Sequence, residues 1–307
     1  MRDDRVAPAP RQWTSLHVFH DGDLDIVVTD LVAALRTRLD AEHASVGTFF
    51  LRYWEGGPHL RIRILPRSGR EDDVRAIVEH QAAAFLVRRP APALLTQEEY
   101  ARYAPGLAVA EGMADYERIR RPNNSFAHVP YRPETNRYGT GASLHAAEDH
   151  FVTCSDTVLR LLAAGATANQ RTTAAFAVLA LSRWLCPTVA PLPADGVAAT
   201  AASGGTPSSA AAERYHRQRH VLGELVDRMR LLAQAPTDRP TGTLGTWAGA
   251  IATLAARIGD PALRWRVVDT CAHLTCNRLG VAVAGERELR HLVDRAFADR
   301  TTQGRPA

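Results

Sequence analysis

The sequence predicts an α+β fold: an antiparallel sheet with packed helices in the N-terminal half, a helical C-terminal half, and one cleft shared by the two. Three observations lead there. The first ninety residues read β-α-β-β-α, alternating β-prone runs with amphipathic stretches. Residues 49–65, FFLRYWEGGPHLRIRIL, read as a β-hairpin around EGGP. From residue 144 onward, apolar residues recur at helical spacing.

Residues 1–12 read as a disordered leader. WTSLHVFH (13–20) alternates as a strand, and Asp21-Gly22-Asp23 breaks it and can cap a helix over 24–39. Leu24, Val27, Val28, Leu31 and Leu35 supply that helix's apolar stripe. A helix over 71–88 follows the hairpin, with Val74, Ile77, Val78 and Phe85 inward. Between 96 and 122, Tyr100, Tyr103 and Tyr116 suggest short strands, and RIRRP (118–122) reads as exposed. The polar stretch YRPETNRYGTG (131–141) leads to Ser143, a candidate N-cap for the next helix. Helices are expected over 144–164, 169–185, 209–233, 243–258, 262–279 and 285–298. A mobile, low-complexity loop is expected at 192–208, and a disordered tail at 300–307. Residues 13–299 read as a single domain.

Side chains alternate faces along the hairpin strands. With Trp54 facing His59 across the turn, Phe49, Leu51, Tyr53, Leu60, Ile62 and Ile64 share one face. The other carries Phe50, Arg52, Trp54, His59, Arg61 and Arg63. This register sets Arg52 opposite Arg61, an unfavourable pairing unless an anion sits on it.

The composition is that of a soluble globular chain: 46% hydrophobic, 23% charged, with a formal charge of +4. That charge is too small for a dedicated nucleic-acid binder. The four cysteines form no metal-binding pattern. The N-terminus has no apolar signal region, and no run suits a membrane span, so a cytoplasmic location is expected. HAAEDH (145–150) lacks metal-ligand spacing, and no GxGxxG, Walker loop or GxSxG elbow is present. No metal or organic cofactor is therefore expected.

Two further stretches carry candidate chemistry. In WRVVDTCAHLTCNRLG (265–280), a helix sets Arg266, Asp269, Thr270, His273, Cys276, Asn277 and Gly280 along one side. Asp269, one turn before His273, could accept its ring N–H, with Asn277 one turn after. Arg278 falls on the apolar side and is expected to snorkel. In the 131–141 stretch, Glu134 and Arg137 are spaced for a local ion pair beside Tyr138 and Gly139.

FFLRYWEGGPHLRIRIL, YRPETNRYG and AHLTCNRLG, in this order, resemble the signature segments of the lantibiotic dehydratase C-terminal domain. The same domain stands alone among thiopeptide-type bacteriocin biosynthesis proteins. The resemblance runs from about Trp13 to about Phe297. It implies removal of glutamate from glutamylated Ser or Thr of a ribosomal precursor peptide, leaving dehydroalanine or dehydrobutyrine. It also implies a separate glutamyl-tRNA-dependent glutamylation protein as partner. Arg61, Arg63, Arg137 and His273 match the family's elimination residues. Arg52, His59, Glu134, Tyr138, Asn277 and Arg278 are expected to bind substrate, with Glu134 a candidate base.

The implied chemistry suits these residue types. Elimination removes a Cα proton while a carboxylate leaves, and arginines on one strand face can bind one carboxylate and stabilise charge on another. His273 can serve the leaving carboxylate or the enolate. Two other readings stay open. One is a thiopeptide pyridine synthase, joining two dehydroalanines in a formal [4+2] cycloaddition with leader release. The other is a catalytically idle scaffold that binds the leader peptide. The presence of both strand arginines, Arg137 and His273 favours elimination.

Overall fold

A computed structural model describes residues 11–187, 209–235 and 241–303. The expected 192–208 loop lies outside the described residues, as do residues 1–10 of the leader and 304–307 of the tail. The chain divides into two compact units, Met1–Gly165 and Ala166–Ala307.

The first unit holds a four-stranded antiparallel sheet in the order β2-β3-β1-β4. Its strands are β1 (Thr14–Phe19), β2 (Ser45–Tyr53), β3 (His59–Pro66) and β4 (Ser125–His128). After β1 come α1 (Leu24–Ile26), a π-helical stretch (Val27–Val32) and α2 (Ala33–Ala41). They run on as one helix, and Asp23 caps its start by accepting the Asp25 backbone N–H. Helix α3 (Glu71–Arg88) returns from β3. On one sheet face Leu16, Val18, Phe50, Leu60, Ile62 and Ile64 are fully buried. The π-helical stretch, α2 and α3 pack against the sheet, contributing Val28, Leu31, Leu35, Val74, Val78 and Phe85 to the core.

The hairpin register differs by one residue from the one the sequence suggests. Tyr53, not Trp54, faces His59, followed by Leu51↔Arg61 and Phe49↔Arg63. The turn sets this register. The Gly57 N–H donates to the Trp54 carbonyl at 2.9 Å, so Trp54 already belongs to the connection. Gly56 and Gly57 take φ of +77° and +111°, values that favour glycine. A one-residue slip sends every side chain of β2 to the other face. Phe49, Leu51 and Tyr53 therefore lie with His59, Arg61 and Arg63, while Phe50 and Arg52 lie on the opposite face.

The 97–110 stretch is a helix, α4 (Gln97–Ala110), where tyrosines suggest strands. Thr96 and Glu99 form a capping box at its start, and this local signal outweighs the β propensity of Tyr100 and Tyr103. The short strand β4 has no counterpart in the sequence reading. Helix α5 (Thr135–Tyr138) ends at Gly139, and α6 (Ala142–Ala163) begins after Gly141 rather than at Ser143. Helix α6 flanks β2, where Ser155 Oγ accepts the Phe50 N–H at 3.2 Å. Arg11, assigned to the leader from sequence, donates to Asp149 on this helix at 2.6 Å.

The second unit is helical in its described residues: α7 (Ala168–Leu185), α8 (Ser209–Gln234), α9 (Gly242–Ala256), α10 (Pro261–Arg278) and α11 (Val283–Gln303). Residues 174–182 of α7 are all buried, and the other four helices pack on α7. A helix apolar on all sides belongs at the centre of such a bundle. Helix α11 runs through residues 300–303, the first part of the expected tail. Among the described residues no helix is long and apolar enough to cross a membrane.

Candidate active site

In the first unit, candidate residues gather on the sheet face away from α2 and α3. Strand β3 contributes His59, Arg61 and Arg63, and β1 sets Phe19, His17 and Ser15 beside them. His59 is 1% exposed and His17 7%. Their rings stack at 4.8 Å. Burial, with the nearby Arg61 and Arg63 charges, lowers His59 to about 3. Burial, His59 and the arginines lower His17 to about 2. Both rings are therefore neutral near neutrality. His59 Nδ1 donates to the Gly57 carbonyl at 3.0 Å, leaving Nε2 to accept from Arg61 Nε at 3.3 Å.

Arg61 is held on three sides. Its Cζ lies 3.3 Å from the centroid of the Tyr53 ring, and Nη2 donates to Glu55 Oε2 at 3.1 Å. The other Glu55 oxygen accepts the Glu117 N–H at 3.0 Å. Glu111 accepts from Tyr53 Oη and from Trp54 Nε1, both at 2.7 Å. Burial and Glu111 push the Tyr53 hydroxyl well above its ordinary range.

Arg63 differs from its neighbours. It is 9% exposed, with its guanidinium against the rings of Tyr131 (5.1 Å) and Phe49 (5.5 Å). Its Nε is buried without a hydrogen-bond partner, and no carboxylate pairs with it among the described residues. Burial, reinforced by Arg61, lowers it to about 10.

Arg137 pairs with Glu134 at 2.6 Å, the local ion pair their spacing predicts. Glu134 acts electrostatically on Arg61, Arg63 and Arg137, and Glu111 acts on Arg61 and Arg137. Arg61, Arg63, His59, Glu134 and Arg137 thus form one group. Tyr138 is 3% exposed and packs edge-on against Phe151, a core position.

Two expectations are corrected here. Arg52 does not oppose Arg61; it pairs with Leu60 on the other face, and its guanidinium meets Asp25 at 2.5 Å. The candidate arginines also do not all await an external anion. Glu55 serves Arg61, Glu134 serves Arg137 and Asp25 serves Arg52. The sequence reading missed Glu55, Glu111 and His17. Glu55 stands in the EGGP turn, but Glu111 carries no local signal.

In the second unit, His273 lies on α10 with its side chain 21% exposed. Its partner is Glu286 on α11, not Asp269: Nδ1 and Oε2 are 2.6 Å apart. Asp269 instead accepts from Arg290 at 2.6 Å, and Arg290 also donates to Glu286 at 2.9 Å. Glu286 is 1% exposed. Burial alone would raise its carboxyl, but His273 and Arg290 hold it below the usual range. Burial works against the Arg290 charge, yet Asp269 and Glu286 outweigh it and raise that guanidinium. Asn277 is half-buried one turn after His273. Arg278 is fully buried and does not snorkel to solvent. Cys276, placed from sequence on the polar side, is fully buried; burial and Glu286 raise its thiol.

Comparison with known proteins agrees with this architecture. The family described as "Lantibiotic biosynthesis dehydratase C-term" matches residues 13–297. The pyridine synthase TbtD from thiomuracin biosynthesis superposes with a TM-score of 0.73 at 22% identity, covering 94% of this chain and 98% of that one. TsrL gives 0.64 at 16% identity, covering 95% and 96%. The tRNA-dependent lantibiotic dehydratase MibB from Microbispora sp. 107891 gives 0.63 at 23% identity, and this chain spans 29% of its length while 98% of this chain is covered. No curated protein matches the chain. On the family match across nearly its whole length, this chain belongs to the lantibiotic biosynthesis dehydratase C-terminal family.

Proposed function

We propose that this protein is a peptide-modifying enzyme that joins two dehydroalanines of a precursor peptide into a pyridine ring and releases the leader. The observation that carries this reading is the end-to-end correspondence of the fold with the thiomuracin pyridine synthase. The pairing of the arginines supports the same choice. Most of these cations already hold internal carboxylates, as Arg61 does with Glu55 and Arg137 with Glu134. A site built for glutamate would need them for the adduct.

The chemistry sets the demands on the site. In a formal [4+2] step the β-carbons of two dehydroalanines bond, and an amide carbonyl carbon bonds the second residue's α-carbon. The amide nitrogen becomes the ring nitrogen. Its former carbonyl oxygen leaves as water, and aromatisation expels the leader as an amide. Enolising the amide to enter the ring-forming step, and expelling the leader as an amide, each place charge on an amide oxygen. Arg63, buried and without a carboxylate partner, suits an oxygen whose negative charge develops in a dry site. The Tyr53–Glu111 pair is a second group able to move a proton on that face. His273, oriented by Glu286, would hold or transfer a proton at Nε2.

Glutamate elimination is the second reading. Its support is that Arg61, Arg63 and Arg137, three of the positions that match the family's elimination residues, lie within reach of one carboxylate, Glu134, the candidate base. It requires a precursor peptide glutamylated by a separate glutamyl-tRNA-dependent protein.

Mass spectrometry of two peptides incubated with the protein tests both. A peptide with two dehydroalanines should lose its leader and gain an aromatic ring absorbance. If it persists while a serine-glutamylated peptide loses glutamate to give dehydroalanine, the protein is an eliminase. If neither peptide changes and leader binding is retained, it is a scaffold.

A further inference from the structure

The second unit contains four charged or ionisable side chains in a chain: His273–Glu286–Arg290–Asp269. Its three contacts are 2.6, 2.9 and 2.6 Å. The components come from two helices, and Glu286 lies in the first turn of α11, where a helix favours a carboxylate.

We propose that Glu286 is a positioning residue that fixes the tautomer and orientation of His273, with Arg290 bracing Glu286 against Asp269. The inference rests on His273 being part of the reaction machinery, as proposed above.

An ionised carboxylate can only accept, so the 2.6 Å contact requires His273 Nδ1 to carry the hydrogen. Nε2 is then the working atom. It is a lone pair when the ring is neutral and a donor when it is protonated. Arg290 occupies Oε1 of Glu286 through Nε, leaving Oε2 for the ring. Through Nη1, Arg290 is held by Asp269, so Glu286 cannot swing away without breaking both contacts. Asp269 therefore acts at one remove, and its place one turn before His273 on the same helix serves Arg290 instead.

A purely structural ion pair would show the same distances, so the test needs a readout that stability does not move. Nitrogen-15 NMR of histidine-labelled protein reports the tautomer directly, with the His273 signals assigned by their loss in His273→Gln. Above the pH at which the ring protonates, wild type should show the Nδ1–H tautomer. Free histidine favours Nε2–H. Glu286→Gln should convert His273 to a mixture, because the amide can donate as well as accept. On whichever peptide the protein turns over, the same variant should lower kcat about 10-fold or more with KM little changed. A positioned acid–base group supplies on the order of 10²–10⁴-fold. Arg290→Lys, which keeps a cation beside Glu286, should retain the wild-type tautomer.

An Nε2–H tautomer in wild type would overturn the proposal outright. So would a folded Glu286→Gln protein with unchanged tautomer. The tautomer reading does not depend on activity. A correct tautomer with no effect of His273→Gln on turnover would remove the role proposed for His273 in the reaction, and leave Glu286 as its orienter only.

Discussion

His59 holds Arg61 from two residues away on the same strand face. Its Nε2 accepts from Arg61 Nε at 3.3 Å because its Nδ1 hydrogen is committed to the Gly57 carbonyl. A neutral, buried imidazole here acts as a fixed acceptor that aims a guanidinium. His59→Phe keeps a ring against His17 and removes the acceptor. We expect a folded protein with turnover reduced about 10- to 100-fold, in line with the weight of one hydrogen bond to a charged group, about 1.5–3 kcal/mol. Steady-state kinetics beside circular dichroism would show it, and unchanged kinetics would remove His59 from the site.

The same two histidines make stability depend on pH. His59 and His17 titrate at about 3 and about 2 in the folded protein, against 6.5 in an unfolded chain. Below about pH 6.5 the unfolded state binds protons that the folded state refuses. Their stabilising contribution is therefore full above that pH and declines as pH falls through it toward 3. Each histidine contributes a slope of up to about 1.4 kcal/mol per pH unit. Urea midpoints should be level from pH 8 to 7 and fall between 6.5 and 5. A His17→Asn, His59→Asn double variant should flatten that fall.

Arg63 sets stability against function. Its burial without a carboxylate partner is unfavourable, and its stem already lies among Phe49 and Tyr131. Arg63→Met fills similar volume with apolar atoms. Stability should hold or rise by about 1–3 kcal/mol, while turnover falls about 100-fold or more. A loss of both together would make Arg63 structural.

Arg52 and Arg61 stand on opposite sheet faces, so their variants should separate. Arg61→Gln should abolish most turnover. Arg52→Gln breaks the 2.5 Å pair with Asp25 and should cost about 1 kcal/mol in chemical denaturation, with kinetics near wild type. Equal kinetic losses would favour the register in which the two oppose each other.

The hairpin turn is tied down by Tyr100. Its hydroxyl accepts the Gly56 N–H at 2.8 Å and donates to the Glu117 carbonyl. The residue is fully buried, so Tyr100→Phe leaves both groups unpaired. A destabilisation of about 1–3 kcal/mol is expected from denaturant titration. Kinetics should also suffer, because Glu117 in turn anchors Glu55, the carboxylate on Arg61.

Much of the architecture is legible in the chain. The hairpin, α3 and the C-terminal helices are each specified by residues within a few positions of one another. The three quoted stretches identify the family. The α4 helix was also legible, since Thr96 and Glu99 spell a capping box that the tyrosines distract from. Local signals suffice there because the interactions that decide the structure are local.

What the sequence alone determined is therefore the fold class and the family. Within each unit, tertiary structure decided which candidate side chains meet, and through what. A single residue in the turn moved Arg52 to the far face, because the period of a strand is two. Glu111 reaches Tyr53 across 58 positions and Glu286 reaches His273 across 13. Such partners leave no periodic trace, because a buried charge needs only a counter-charge in space. Where that counter-charge lies along the chain is settled by how the elements pack.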